Sequence, residues 1–122
     1  MNEFTDLIDR YIAAWNETDG ERRRALIART FTDRASYLDP LMAGDGAAAI
    51  DGMIAAVQQR FPGYRFRRKG EVDAHHDRIR FGWELAPEGG LVFVDGTDFA
   101  TIADGRLDVD TGFLDRQPGA AG

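Results

Sequence analysis

Cysteine is absent from the sequence. Disulfides and thiolate chemistry are therefore excluded, and the redox compartment leaves no mark. Lysine occurs once, as Lys69, so arginine carries almost all of the basic charge. The net charge is −6 at pH 7, which argues against nucleic acid and anionic membrane as partners. Serine also occurs once, as Ser36 in a short apolar stretch, which leaves little room for a serine nucleophile. The two histidines, His75 and His76, are adjacent. Without cysteine they make no ligand-spaced metal cluster. No glycine-rich phosphate loop follows a predicted strand, and no lysine follows Gly44-Asp45-Gly46. Metal, nucleotide and flavin cofactors are thus not implied. No apolar run approaches the roughly 20 residues that cross a bilayer. The start Met-Asn-Glu-Phe-Thr-Asp lacks the basic and apolar segments of a signal peptide. The expectation is a soluble cytoplasmic protein.

What is present fits one domain. The chain has 122 residues, of which 43% are apolar, enough for one core. Phe4, Leu7, Ile8, Tyr11, Ile12 and Trp15 recur at helical spacing and predict a first helix. A second, about Glu21 to Thr30, carries four arginines, expected on a solvated face. Phe31-Thr32-Asp33 reads as a turn and Arg34 to Asp39 as a strand. Gly44-Asp45-Gly46 reads as a loop in which Asp45 would cap the next helix. Ile50, Met53, Ile54, Val57 and Phe61 mark that third helix, closed by Pro62-Gly63.

The second half changes period. From Tyr64 to Ala74, and again from Arg78 to Leu85, apolar and charged residues alternate, which predicts a hairpin of strands. Histidine titrates near neutrality, but the turn places His75 and His76 at the sheet's edge, as structural or solvated residues. Leu91 to Ala103 reads as a long strand and Arg106 to Asp115 as the last, joined at Asp104-Gly105. Strict alternation puts Leu107, Val109, Thr111 and Phe113 on one face. The domain spans residues 1–116, with 117–122 a frayed tail. Segregated helices and antiparallel strands give an α+β class. Its curved, mostly antiparallel sheet packs on three helices from the N-terminal half and encloses a pocket between the layers.

Ser36-Tyr37-Leu38-Asp39-Pro40-Leu41 is the stretch most suggestive of chemistry. Pro40 pushes Asp39 toward extended geometry and stops the strand. A carboxylate between apolar neighbours at a strand end could stand at a cavity mouth as a base. Asp also opens turns routinely, and the two roles remain alternatives.

The order of elements, with Tyr11 to Asn16, Tyr37-Leu38-Asp39-Pro40, Gly96 to Ala100 and Asp104 to Leu107, resembles the SnoaL-like branch of the nuclear-transport-factor-2-like superfamily. Ketosteroid isomerases and polyketide cyclases are among its members. The resemblance covers nearly the whole chain and rests on order and spacing. A fold hosts many functions, so the roles of individual residues are implications of the resemblance. Comparison with ketosteroid isomerase places a general base at Asp39, an oxyanion-binding tyrosine at Tyr11 and a second acid at Asp95. SnoaL-like proteins more often carry the strand acid in a Gly-x-Asp step, which is Asp98. Asp95 and Asp98 face opposite sides of a regular strand, and the more apolar face favours Asp98. Trp15, Met53, Phe66, Phe81, Trp83 and Phe113 would wall the pocket.

Three functions remain open. One is a cofactor-independent isomerase or cyclase that moves protons on a small apolar carbonyl compound. Another is a noncatalytic ligand-binding or dimerisation module. The third is an epoxide hydrolase or dehydratase, for which Arg68 is the one inward arginine. The resemblance further implies a homodimer that pairs through the charged outer sheet face.

Overall fold

A computed structural model describes residues 2–116; the expected tail at 117–122 lies outside the described residues. Helix α1 spans Glu3–Asn16 and α2 Gly20–Thr30, followed by strands β1, Phe31–Leu38, and β2, Ala43–Asp45. Helix α3 spans Ala47–Arg60, and strands β3, Tyr64–His75, β4, Arg78–Pro87, β5, Val94–Ala103, and β6, Arg106–Arg116, complete the chain. The six strands form one sheet in the order β2-β1-β6-β5-β4-β3. It is curved and unclosed, and the three helices pack on its concave side. Among the described residues no helix is long and apolar enough to cross a membrane.

Local chemistry explains most boundaries. Asn2 caps α1 by accepting from Phe4 N and Thr5 N, and Asp19 caps α2 through Arg22 N, each satisfying donors that the first turn leaves free. Several elements differ from expectation. No turn separates α2 from β1, because Phe31 is buried in the core and already lies in the strand. Gly44 and Asp45 belong to β2, which pairs with Ser36 and Tyr37. The residue at the start of α3 is Gly46, and no side chain caps that helix. Strand β6 also pairs in parallel with β1, so the sheet is mixed.

The arginines of α2 are not all solvated. Arg23 is buried; its Nε donates to Asp51 Oδ1 at 2.6 Å and its Nη1 to Glu17 O and Gln58 Oε1 at 3.0 and 3.1 Å. These bonds tie α2 to α3 and to the end of α1.

Two bulges have opposite effects on the sheet. On β3 the pairing with β4 shifts by two residues between Lys69 and Asp73. An even shift keeps every side chain on its face. On β6 the pairing with β5 shifts by one between Leu107 and Asp110. An odd shift exchanges the faces. Leu107 is buried, but Val109 and Phe113 are exposed, while Asp110 turns inward. Phe113 therefore lies on the outer face, edge-on to Phe99, and is not part of the pocket wall.

Candidate active site

An apolar pocket opens between the helices and the concave face of the sheet, with a volume of about 90 Å³. Trp15 and Tyr11 come to it from α1, Val57 and Phe61 from α3, and Phe66 and Trp83 from β3 and β4. The ring of Trp15 packs on Phe66 at 5.0 Å and on Tyr37 at 5.7 Å. Leu41 lines the mouth and is 70% exposed. Apart from the indoles, Tyr11, Tyr37 and Asp39 bring the only polar side-chain groups of the wall among the described residues.

Asp39 follows the last residue of β1, where it closes a turn and also lines the pocket. Its Oδ1 accepts from Leu41 N at 2.8 Å and Met42 N at 3.0 Å, which closes the turn at Pro40. Its Oδ2 accepts from the Tyr37 hydroxyl at 2.6 Å, on the pocket side. Among the described residues no arginine or lysine pairs with it, Arg34 included.

Tyr11 rises from the buried stripe of α1, its ring edge-on to Phe81 at 5.1 Å. Its hydroxyl meets Asp98 Oδ2 at 3.0 Å. Asp98 is completely buried, and the Trp83 indole donates to its Oδ1 at 2.8 Å. The indole reaches so far because its strand partner is Gly96. A side-chain carbon there would stand 2.5 Å from the Trp83 ring. Asp98 thus lies behind Tyr11 and Trp83 and takes no part in the wall itself.

A third acid joins them. Asp110 stands opposite Tyr37 on β1 and Ala100 on β5, and the bulge turns it inward beside Asp98. It is 1% exposed, and neither of its oxygens has a donor. Burial first, and then the neighbouring Asp98 charge, push its carboxyl well above the ordinary range. Burial also pushes Asp98 up, while the neighbouring Asp110 and the hydrogen bonds from Trp83 and Tyr11 pull against it. Burial and the surrounding acids raise both Tyr11 and Tyr37, so the two phenols stay protonated. Gly112 brings the two halves together, because its missing side chain leaves a gap bounded by Asp98 Oδ1, Asp39 Cβ and the Tyr37 hydroxyl.

Among the expected site residues, Asp39, Tyr11, Trp15, Phe66 and Trp83 line the pocket. Asp95 does not, since it faces the outer side of the sheet and pairs with Lys69 Nζ at 3.0 Å. Phe81 is core beneath Tyr11. Met53 is one helical turn before Val57 and packs into the core without lining the pocket. Arg68 bonds Asp9 at 3.1 Å and also stays out of the wall. His75 and His76 are exposed at the sheet's edge. Tyr37 and Asp110 escaped the sequence reading. Tyr37 carries a usable signal, since residue i of a strand shares a face with residue i+2, here the acid. Asp110 carries none, because alternation counted from Leu107 points it outward. Among the described residues no three His, Cys, Asp or Glu side chains are arranged to hold a metal ion.

Residues 8–108 match the SnoaL-like domain. A structure provisionally named an isomerase of the SnoaL-like family, from Agrobacterium tumefaciens, is 42% identical. The match covers 95% of this chain and 100% of that one, with a TM-score of 0.89. A protein provisionally named a SnoaL-like polyketide cyclase, from Jannaschia, is 19% identical over 94% of this chain and 89% of its own, TM-score 0.69. A protein of ketosteroid isomerase-like fold from Catenulispora acidiphila, in complex with trimethylamine, is 16% identical over 87% of this chain and 82% of its own, TM-score 0.71. Among curated proteins none matches the sequence.

Proposed function

Because the chain belongs to the SnoaL-like domain family, we propose that it is a cofactor-independent isomerase or cyclase that moves a proton on a small apolar carbonyl compound. The observation that carries this reading is Asp39, a carboxylate with no cationic partner among the described residues, held by Tyr37 in the wall of an aromatic pocket. Two backbone N–H groups occupy its Oδ1 and one phenol its Oδ2. A carboxylate has about four lone-pair sites, so one on Oδ2 is left to take a proton from carbon. Tyr11 would face the substrate oxygen and stabilise the enolate that forms. The same proton would then return to another carbon or drive ring closure.

The test uses a small cyclic β,γ-unsaturated ketone, whose isomerisation is followed by the absorbance of the conjugated product. Asp39→Asn should lower kcat by at least about 10²-fold, the lower range for a general base, while ligand binding persists. Unchanged turnover would remove Asp39 from the chemistry. A second reading, a noncatalytic binding module, draws on the turn-closing bonds to Asp39 Oδ1. It expects binding without turnover in both proteins. The epoxide-opening reading lacks support, since among the described residues no arginine lines the pocket. The proposal includes a homodimer formed through the outer sheet face.

A further inference from the structure

The wall of the pocket can be sorted by what it offers a ligand. Among the described residues its side-chain donors are the hydroxyls of Tyr11 and Tyr37 and the indole N–H groups of Trp15 and Trp83. Three of these are already given to acids. Tyr11 donates to Asp98 Oδ2 at 3.0 Å, Trp83 to Asp98 Oδ1 at 2.8 Å and Tyr37 to Asp39 Oδ2 at 2.6 Å. The fourth, Trp15 Nε1, is buried in the packing, out of reach of the hollow. One acceptor is free, since Asp39 Oδ2 keeps a lone pair. Among the described residues no arginine, lysine or histidine lines the pocket.

Much of the remaining wall is aromatic. Tyr37, Trp15, Phe66 and Trp83 follow one another with ring centroids 5.7, 5.0 and 5.8 Å apart and interplanar angles of 56, 57 and 62°. Each ring is tilted on the next, and the row bends around the hollow that all four line. The face of an aromatic ring carries partial negative charge. Rings, a carboxylate and no free donor disfavour an anion and attract a cation that fits between them. A metal ion needs several oxygen ligands and finds one carboxylate here. An ammonium ion wrapped in alkyl groups needs less, one acceptor for its N–H and apolar faces for its carbons. The hollow of about 90 Å³ suits a compact one. A carbonyl ligand, by contrast, must draw the Tyr11 hydroxyl away from Asp98.

We propose that the pocket is a receptor for a compact alkylammonium ion, whose N–H donates to Asp39 Oδ2 and whose alkyl groups lie against Trp15, Tyr37, Phe66 and Trp83. The ion takes the same lone pair that accepts a proton in the reaction proposed above, so it excludes the ketone from that place. Its binding goes beyond that reaction and does not depend on it.

The probe is N-methylpyrrolidinium, set against cyclopentanone, a neutral ring of equal heavy-atom count. NMR titrations should show the cation binding at least about 10-fold more tightly than the ketone, the scale of a hydrogen bond to a charged group. The N-methyl signal should move upfield on binding, as protons over ring faces do. Asp39→Asn keeps an oxygen to close the turn and should remove the preference for the cation. Phe66→Leu should weaken cation binding about 2- to 5-fold, the share of one ring, and shrink the upfield shift. Equal affinity for cation and ketone, a preference that survives in Asp39→Asn, or failure of the cation to displace the ketone would overturn the proposal. Cation binding by a protein without ketone turnover would uphold it and reject the proposed function. Turnover without cation binding would do the reverse.

Discussion

Gly112→Ala is the sharpest perturbation of this site, because one methyl group enters the space where its two halves meet. The added carbon would stand 2.9 Å from Asp98 Oδ1, 3.2 Å from Asp39 Cβ and 3.4 Å from the Tyr37 hydroxyl. Unstrained carbon contacts lie near 3.5–4.0 Å. The backbone at Gly112 is not in the left-handed region, so alanine meets no torsional penalty there. Asp98 cannot yield easily, since Trp83 and Tyr11 hold both its oxygens. Overpacking a tight interior costs about 1–3 kcal/mol. Against this, replacing glycine restricts the unfolded chain and stabilises by about 0.4–1 kcal/mol. The net expectation is a loss of about 0–2.6 kcal/mol, from the difference of those two ranges. Gly52→Ala is the control, because nothing lies within 4 Å of the position and it falls inside α3. It should gain about 0.5–1 kcal/mol from helix propensity. Urea melts of the two variants should therefore move in opposite directions. A displacement of a few tenths of an ångström should also lower turnover by up to about 10-fold, given that 1 Å can cost about 10²-fold. If Gly112→Ala gains stability as Gly52→Ala does and keeps its rate, the acids do not converge at Gly112.

Arg23→Ala should destabilise by about 3–5 kcal/mol, because it leaves Asp51 without its buried partner; a loss below 1 kcal/mol in denaturant melts would show that the bond at 2.6 Å is solvated. Asp110→Asn should change how stability depends on pH. The raised Asp110 pKa means that the unfolded chain releases its proton first, so parent stability falls as pH climbs above about 3.9 toward the folded value. The variant lacks that loss, so its advantage should be nil in acid and grow toward neutral pH, and a constant offset across melts at several pH values would contradict this. In the homodimer proposed here, Arg67–Glu84 and Lys69–Asp95 already pair within one chain, leaving exposed Phe99 and Phe113 to make the contact. Sedimentation should then show a dimer that persists in high salt and dissociates in Phe113→Asp.

The helices were legible because a buried stripe at helical spacing writes itself into 14 residues at a time, as in α1. The end of β1 was legible because Pro40 has no N–H to offer a ladder. The three-residue strand β2 was not, since its identity lies in pairing with Ser36 and Tyr37 and in nothing its own residues prefer. The parallel pairing of β1 with β6 joins residues more than 70 apart in the chain, as at Tyr37 and Asp110, and no local pattern encodes it. The bulges are the clearest lesson. The two-residue shift on β3 left the alternation of Tyr64 to Ala74 intact. The one-residue shift on β6, at Asp108-Val109, has no glycine to announce it, and it moved Phe113 out and Asp110 in.

That exchange bears on why the site has this form. Asp39 has structural work to do in closing a turn, so its presence alone decides little. Asp110 has none of that kind. It closes no turn, pairs with no described cation and accepts no bond from any described donor. An apolar residue of similar size would remove a buried carboxyl and tend to stabilise the fold. Acids kept at a loss of stability belong to sites where activity needs them. Asp110 and the bulge that admits it thus stand beside Asp39 as a second group kept in the site against the stability of the fold. A variant that deletes one residue of the bulge should return Asp110 to the outer face and Phe113 to the inner one. Such a protein would keep its α1 stripe and its Asp39 turn, and would lose the acid pair behind Tyr11.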